Sequence, residues 1–200
     1  MTRALCVTPP PSPDQPPIDS LSRVQILAAI GITALILLLI ARLWLWLDPI
    51  SLLPLHLSLI DGLLGLGLGA AITLASALAY QLWPAYRRSA DVYLQLVLSP
   101  LTAIDVLWLG ILPGLSEELL FRGVMLPAIG LTGFGVVISS LCFGVLHLSS
   151  LEQWPYGIWA TVIGLVLGMS ALITGNLLVP LLAHIVTNLM SSLVWKLRQS

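Results

Sequence analysis

Residues 114–123 read GLSEELLFRG and set two adjacent carboxylates, Glu117 and Glu118, and one arginine, Arg122, inside a long apolar run. A charge placed mid-membrane costs on the order of 2.5–3.5 kcal/mol, so three together require compensation. Glu118 and Arg122 are spaced i, i+4, which lets them pair on a helix, and a guanidinium fits a carboxylate bidentately. These two are read as structural support. Glu117 points about 100° away around the same helix and lacks that partner. A buried carboxylate without a counter-ion binds protons, water or metal.

Two of the three histidines also fall in apolar runs. His147 ends the stretch FGVLH, one helical turn after Phe143. His184 opens HIVTN, one turn before Asn188, so these two share a helix face. One histidine in an apolar segment is ordinarily a packing residue. Two of them with a glutamate and an asparagine are a functional set, because ionisable groups inside a membrane mark sites by default. Asp105 and Glu152 are the other carboxylates of this region, and both lie nearer the ends of runs. Buried groups such as Glu117, His147 and His184 bind or relay protons, or hold water or a metal ion.

The elements that must carry these residues follow from composition. The chain has 200 residues, 58% hydrophobic and only 8% charged, with mean hydropathy +1.02. A soluble domain holds about 25% charged residues, so the membrane class is indicated first. A net charge of −1 and a pI near 6.2 leave no basic footprint for nucleic acid. Cys6 and Cys142 lie far apart and make neither a metal motif nor an evident disulfide. The stretch TPPPSPDQPP favours extended backbone, and residues 1–22 are read as a disordered tail ahead of a transmembrane domain at 23–200. That tail fits a signal peptide poorly, because the apolar run behind it is too long.

Six apolar runs are expected as helices, at about 24–47, 57–83, 101–128, 133–149, 156–174 and 176–195. The fold class is all-α, a polytopic bundle, because lipid offers backbone groups no partners. The segment PAYRRSADVYLQ reads as a polar connection, and the fourth run is short for a full span. Arg3 and Arg23, then Arg87 and Arg88, then Lys196 and Arg198 fall on one side if there are six spans. The positive-inside rule makes that side, with both termini, cytoplasmic, in a plasma membrane of bacterial type. Gly65, Gly67 and Ala70 mimic a dinucleotide fingerprint but lie inside a span with no strand nearby. Gly65 and Gly69 are better read as helix-packing glycines. Trp44, Trp46, Trp83, Trp154, Tyr156 and Trp195 sit at run ends and read as an interfacial belt. His56 falls between spans.

In order, Glu117-Glu118-x-x-x-Arg122, Phe143-x-x-x-His147 and His184-x-x-x-Asn188 resemble the three-motif signature of the CAAX prenyl-protease and bacteriocin-processing (CPBP, or Abi) family of intramembrane proteases. Phe121-Arg122-Gly123 also resembles the first motif of that family. Each motif alone is weak, whereas all three in order, each in an apolar run, are specific. The resemblance covers about residues 100–195, which it implies to be the catalytic core.

The resemblance implies that Glu117 and His147 activate water, while His184 and Asn188 donate hydrogen bonds to the oxyanion. It implies a polypeptide substrate at the lipid boundary, lipidated or otherwise membrane-associated. The alternative chemistry is a zinc site of Glu117, His147 and His184 with an open position for water. No H-E-x-x-H is present. The metal-free form is preferred, because Asn188 suits an oxyanion donor better than a zinc ligand. Two other classes stand beside the protease: a proton-coupled transporter, weakened by the lack of evident repeats, and a non-catalytic immunity or scaffold protein.

Overall fold

The computed structural model describes residues 21–199 and, among them, contains helices and no strand. The tail read at 1–22 lies outside this range except for its last two residues. Ser22 caps the first helix: its hydroxyl accepts from the backbone N–H of Gln25, and the Gln25 side chain accepts from Ser22 N–H, a reciprocal capping box.

The helices run in the order α1 (Arg23–Leu47), α2 (Leu59–Leu82), α3 (Pro84–Leu98), α4 (Asp105–Glu118), a π-helical segment (Leu119–Met125), α5 (Leu126–Ile129), α6 (Gly133–Leu146), α7 (Trp154–Thr174) and α8 (Leu178–Gln199). Four helices are long and apolar enough to cross a membrane: α1, α2, α7 with the short 3-10 turn before it, and α8. α4, the π segment and α5 form a fifth, unbroken helical path. α6 has 14 residues, about 21 Å of helix against roughly 30 Å of hydrocarbon. The chain is thus an integral, multi-pass helical bundle. Its side chains bear this out, since large apolar residues such as Ile32, Leu39, Leu63 and Leu74 face outward, where lipid replaces water as solvent.

α8 lies between α2 and α4, and glycines on both neighbours bring the backbones together. A Cβ at Gly65 would stand 2.9 Å from the Leu182 Cβ, and one at Gly69 would stand 2.7 Å from the Val186 Cβ. Across α8, a Cβ at Gly114 would stand 2.6 Å from Cγ1 of Ile185, and Gly110 is covered by Leu189. Small residues four apart are how membrane helices approach closely when apolar contact with lipid offers no net gain. Gly67, between the two α2 glycines, has open space beside it. The packing reading of Gly65 and Gly69 holds.

The segment read as a polar connection is the amphipathic helix α3. Pro84 occupies its first turn, where the missing N–H costs nothing. Tyr86, Ser89, Ala90 and Leu98 are buried, whereas Arg87, Arg88, Gln95 and Leu96 are exposed. The repeat of Tyr86, Ala90, Tyr93 and Val97 is helical, and the three charges Arg87, Arg88 and Asp91 masked it.

The π segment coincides with a proline and a distant backbone partner. Pro127 lacks the N–H that would serve the Gly123 carbonyl four residues earlier. That carbonyl instead accepts from Leu53 N–H at 3.1 Å, in the loop between α1 and α2. The same loop is tied to the α7–α8 turn by Asn176, which is 2% exposed. Its amide donates to the His56 carbonyl and to Asp61 Oδ2, both at 2.8 Å, and its oxygen accepts from His56 N–H at 3.0 Å. His56 is a loop residue, as its position suggested.

Candidate active site

Glu118 and Arg122 are both fully buried, and Nη1 of Arg122 donates to Glu118 Oε1 at 2.7 Å. Nη2 donates to the Gly164 carbonyl of α7 at 2.9 Å, and the guanidinium lies 4.5 Å from the Phe143 ring centroid of α6. One arginine thereby joins three elements through hydrogen bonds and a cation–π contact. Gly164 is what admits it: a Cβ there would come within 3.3 Å of Nη2.

The Glu118 oxygen that takes Arg122 also takes His184, whose Nδ1 lies 2.8 Å from Oε1. A carboxylate paired with arginine only accepts, so Nδ1 carries the proton and Nε2 turns away toward Glu117. Sequence spacing gave no sign of this contact, which joins residues 66 positions apart.

His147 is the C-terminal cap of α6. Its Nδ1 lies 2.8 Å from the Phe143 carbonyl, one of the acceptors that a helix end leaves unused. Nδ1 is therefore the donor, and Nε2 faces Glu117. Phe143 sits between the histidines, with ring centroids 4.5 Å from His147 and 5.7 Å from His184.

Glu117 is 8% exposed. Its Oε2 stands 3.7 Å from Nε2 of His147 and 3.9 Å from Nε2 of His184, and it has no hydrogen-bond partner among the described residues. These separations exceed a direct hydrogen bond and suit a bridging water. Asn188, one turn beyond His184, lines the same space. Glu117, His147, His184 and Asn188 all face one cavity of about 330 Å³. The spans reach it unequally: α8 packs along α4, while α6 packs on α7 and the π segment and arrives by its C-terminal end.

Two residues at the cavity escaped the sequence reading. Tyr93 of α3 and Tyr156 of α7 both line it, with rings stacked at 4.9 Å. Tyr156, read from sequence as part of an interfacial belt, sits in the first turn of α7 and also lines the cavity. The helical period of α3 was the signal for Tyr93. Burial, followed by the Glu117 carboxylate, pushes the Tyr93 phenol up to about 12.

Zinc binds donors at about 2.0–2.1 Å, so tetrahedral ligands stand about 3.3 Å apart. The two nitrogens lie beyond that from Glu117. Among the described residues no group of three or more His, Cys, Asp or Glu is arranged to hold a metal ion. The trio of Glu117, His147 and His184 as placed does not fit zinc.

A helical membrane bundle whose polar residues converge on one buried cavity is the class defined by fold and geometry. Residues 99–190 match the family model for type II CAAX prenyl endopeptidase Rce1-like proteins. That match bears out the resemblance read from the three motifs. YpbD of Bacillus subtilis (strain 168), described as an uncharacterized protein, is 30% identical over 122 residues, 61% of this chain and 62% of its own length. The match thus spans less than two-thirds of that relative. No solved structure matches the chain.

Proposed function

We propose that the protein is an intramembrane endopeptidase that hydrolyses polypeptides presented at the lipid boundary. The observation that carries this reading is Glu117 Oε2, buried, unpartnered and one water's width from two imidazole nitrogens. A water held between Glu117 and His147 is the nucleophile. Glu117 takes its proton as the oxygen attacks the scissile carbonyl, then returns that proton to the leaving amine. His184 and Asn188 donate to the oxyanion. With Nδ1 of His184 committed to Glu118, donation from Nε2 requires a proton on each ring nitrogen. Glu117 and Glu118 flank that cation with two carboxylates. Glu118 and Arg122 hold the imidazole in place, and the family match over 99–190 supports the reaction class. The substrate side is a membrane-associated polypeptide, with or without lipid.

The test is Glu117→Gln, which keeps the shape and removes the base. The variant should fold with an unchanged melting temperature, retain bound polypeptide and cleave none. A variant as active as wild type removes Glu117 from the mechanism. Transport without cleavage would establish the proton-coupled class instead.

A further inference from the structure

The cavity is also lined by two phenols, Tyr93 and Tyr156, that the proposed chemistry leaves unused. Tyr156 stacks with two rings of α3, Tyr93 at 4.9 Å and Tyr86 at 6.2 Å with planes 12° apart. It also lies 6.3 Å from His147. It is the centre of an aromatic cluster joining α3 to α7. Tyr93 is carried by the amphipathic helix α3.

Neither phenol hydroxyl has a hydrogen-bond partner among the described residues, and both residues line the cavity. Tyr93 and Glu117 line the same cavity, and no hydrogen bond joins the two. A neutral O–H on one side and a carboxylate on the other describe a slot for a group that accepts from the first. A peptide carbonyl does so, and a donor-only group does not.

We propose that Tyr93 is a substrate-binding residue whose phenol donates a hydrogen bond to a backbone carbonyl beside the scissile bond, with Tyr156 as the positioning residue that fixes its ring. The inference rests on the endopeptidase reading above. It gives α3 a function: the helix delivers a backbone contact that does not depend on the substrate's side chains. One wall then binds the oxyanion through α8, and another holds the neighbouring peptide group through α3.

The experiment uses the full chain reconstituted in lipid and a quenched-fluorescence library of random peptides, with kinetics on the best-cleaved member. Tyr93→Phe keeps the stack and should keep the melting temperature. It should raise KM about three- to tenfold with kcat within about twofold, as loss of one neutral hydrogen bond predicts. The Kd of the same peptide for Glu117→Gln should rise by the same factor when Tyr93→Phe is added. Replacing the carbonyls beside the cut one at a time by methylene should, at one position, weaken binding to E117Q but not to the double variant. Tyr156→Phe, which preserves the cluster, should leave KM unchanged, whereas Tyr156→Ala should raise it as Tyr93→Phe does.

Unchanged KM and Kd in Tyr93→Phe overturn the inference and leave the endopeptidase standing. A fall in kcat at constant KM overturns it too, placing the phenol at the transition state. A wild type that cleaves no peptide, with an E117Q variant that binds none, sinks the endopeptidase reading and this inference with it.

Discussion

Nδ1 of His184 and Nη1 of Arg122 share a single oxygen, Oε1 of Glu118, at 2.8 and 2.7 Å. One carboxylate thus neutralises an arginine and orients an imidazole that faces Glu117. Glu118→Ala should strand a fully buried guanidinium and lower stability by about 3–5 kcal/mol. Arg122→Ala should do likewise. Arg122→Lys should rescue poorly, because an ammonium cannot reach Glu118, the Gly164 carbonyl and the Phe143 ring together. Thermal melts in detergent measure all three. Full stability with lost cleavage would assign Glu118 a direct chemical role instead.

The glycines against α8 are open to the same treatment. Gly69→Leu and Gly114→Leu place branched side chains where a Cβ alone would already lie within 2.7 Å of α8. Each should cost about 1–3 kcal/mol or more through overpacking. Gly67→Leu, with open space beside it, should be neutral. Folded yield by size-exclusion chromatography separates the three. Equal loss at all three positions would argue against the α2–α8 contact.

Metal dependence has a direct readout. Cleavage should persist after exhaustive chelation, and added zinc should not raise it. Activity that disappears with the chelator and returns with zinc would move water activation from Glu117 to a metal ion.

Orientation can be read from reporters. With α1, α2, the α4–π–α5 path, α6, α7 and α8 counted as six crossings, fusions at both ends should report the cytoplasm, together with Arg87 and Arg88 on the exposed face of α3. Opposite locations for the two ends would mean that one of these, α6 first, does not cross.

Much of the scaffold was legible because hydrophobic length is a strong signal. Runs near 24–47, 57–83 and 156–174 became α1, α2 and α7 within a few residues. The i, i+4 relation of Glu118 and Arg122 was legible for the same reason, being local. α3 was not, since Arg87, Arg88 and Asp91 lower its hydropathy to that of a loop while its apolar face persists underneath. The π segment coincides with a bond from Leu53 that Pro127 cannot supply, and no local pattern announces a partner 70 residues away. The contact of Glu118 with His184 and the entry of Tyr93 are likewise tertiary. Motif spacing placed the polar groups on the right helices and left open what each would touch.

The glycine seams also govern the order in which the molecule can be made. α8 supplies His184 and Asn188, and it is the surface on which α2 and α4 close. While the chain is still being threaded into lipid, α1 to α7 can be inserted with Gly65, Gly69, Gly110 and Gly114 facing no partner. Glu117 and His147 then stand without the helix that turns an imidazole toward them. The four polar residues come together only when residues 178–199 have left the ribosome. Until α8 packs against α2 and α4, two of the four polar residues are missing from the cavity.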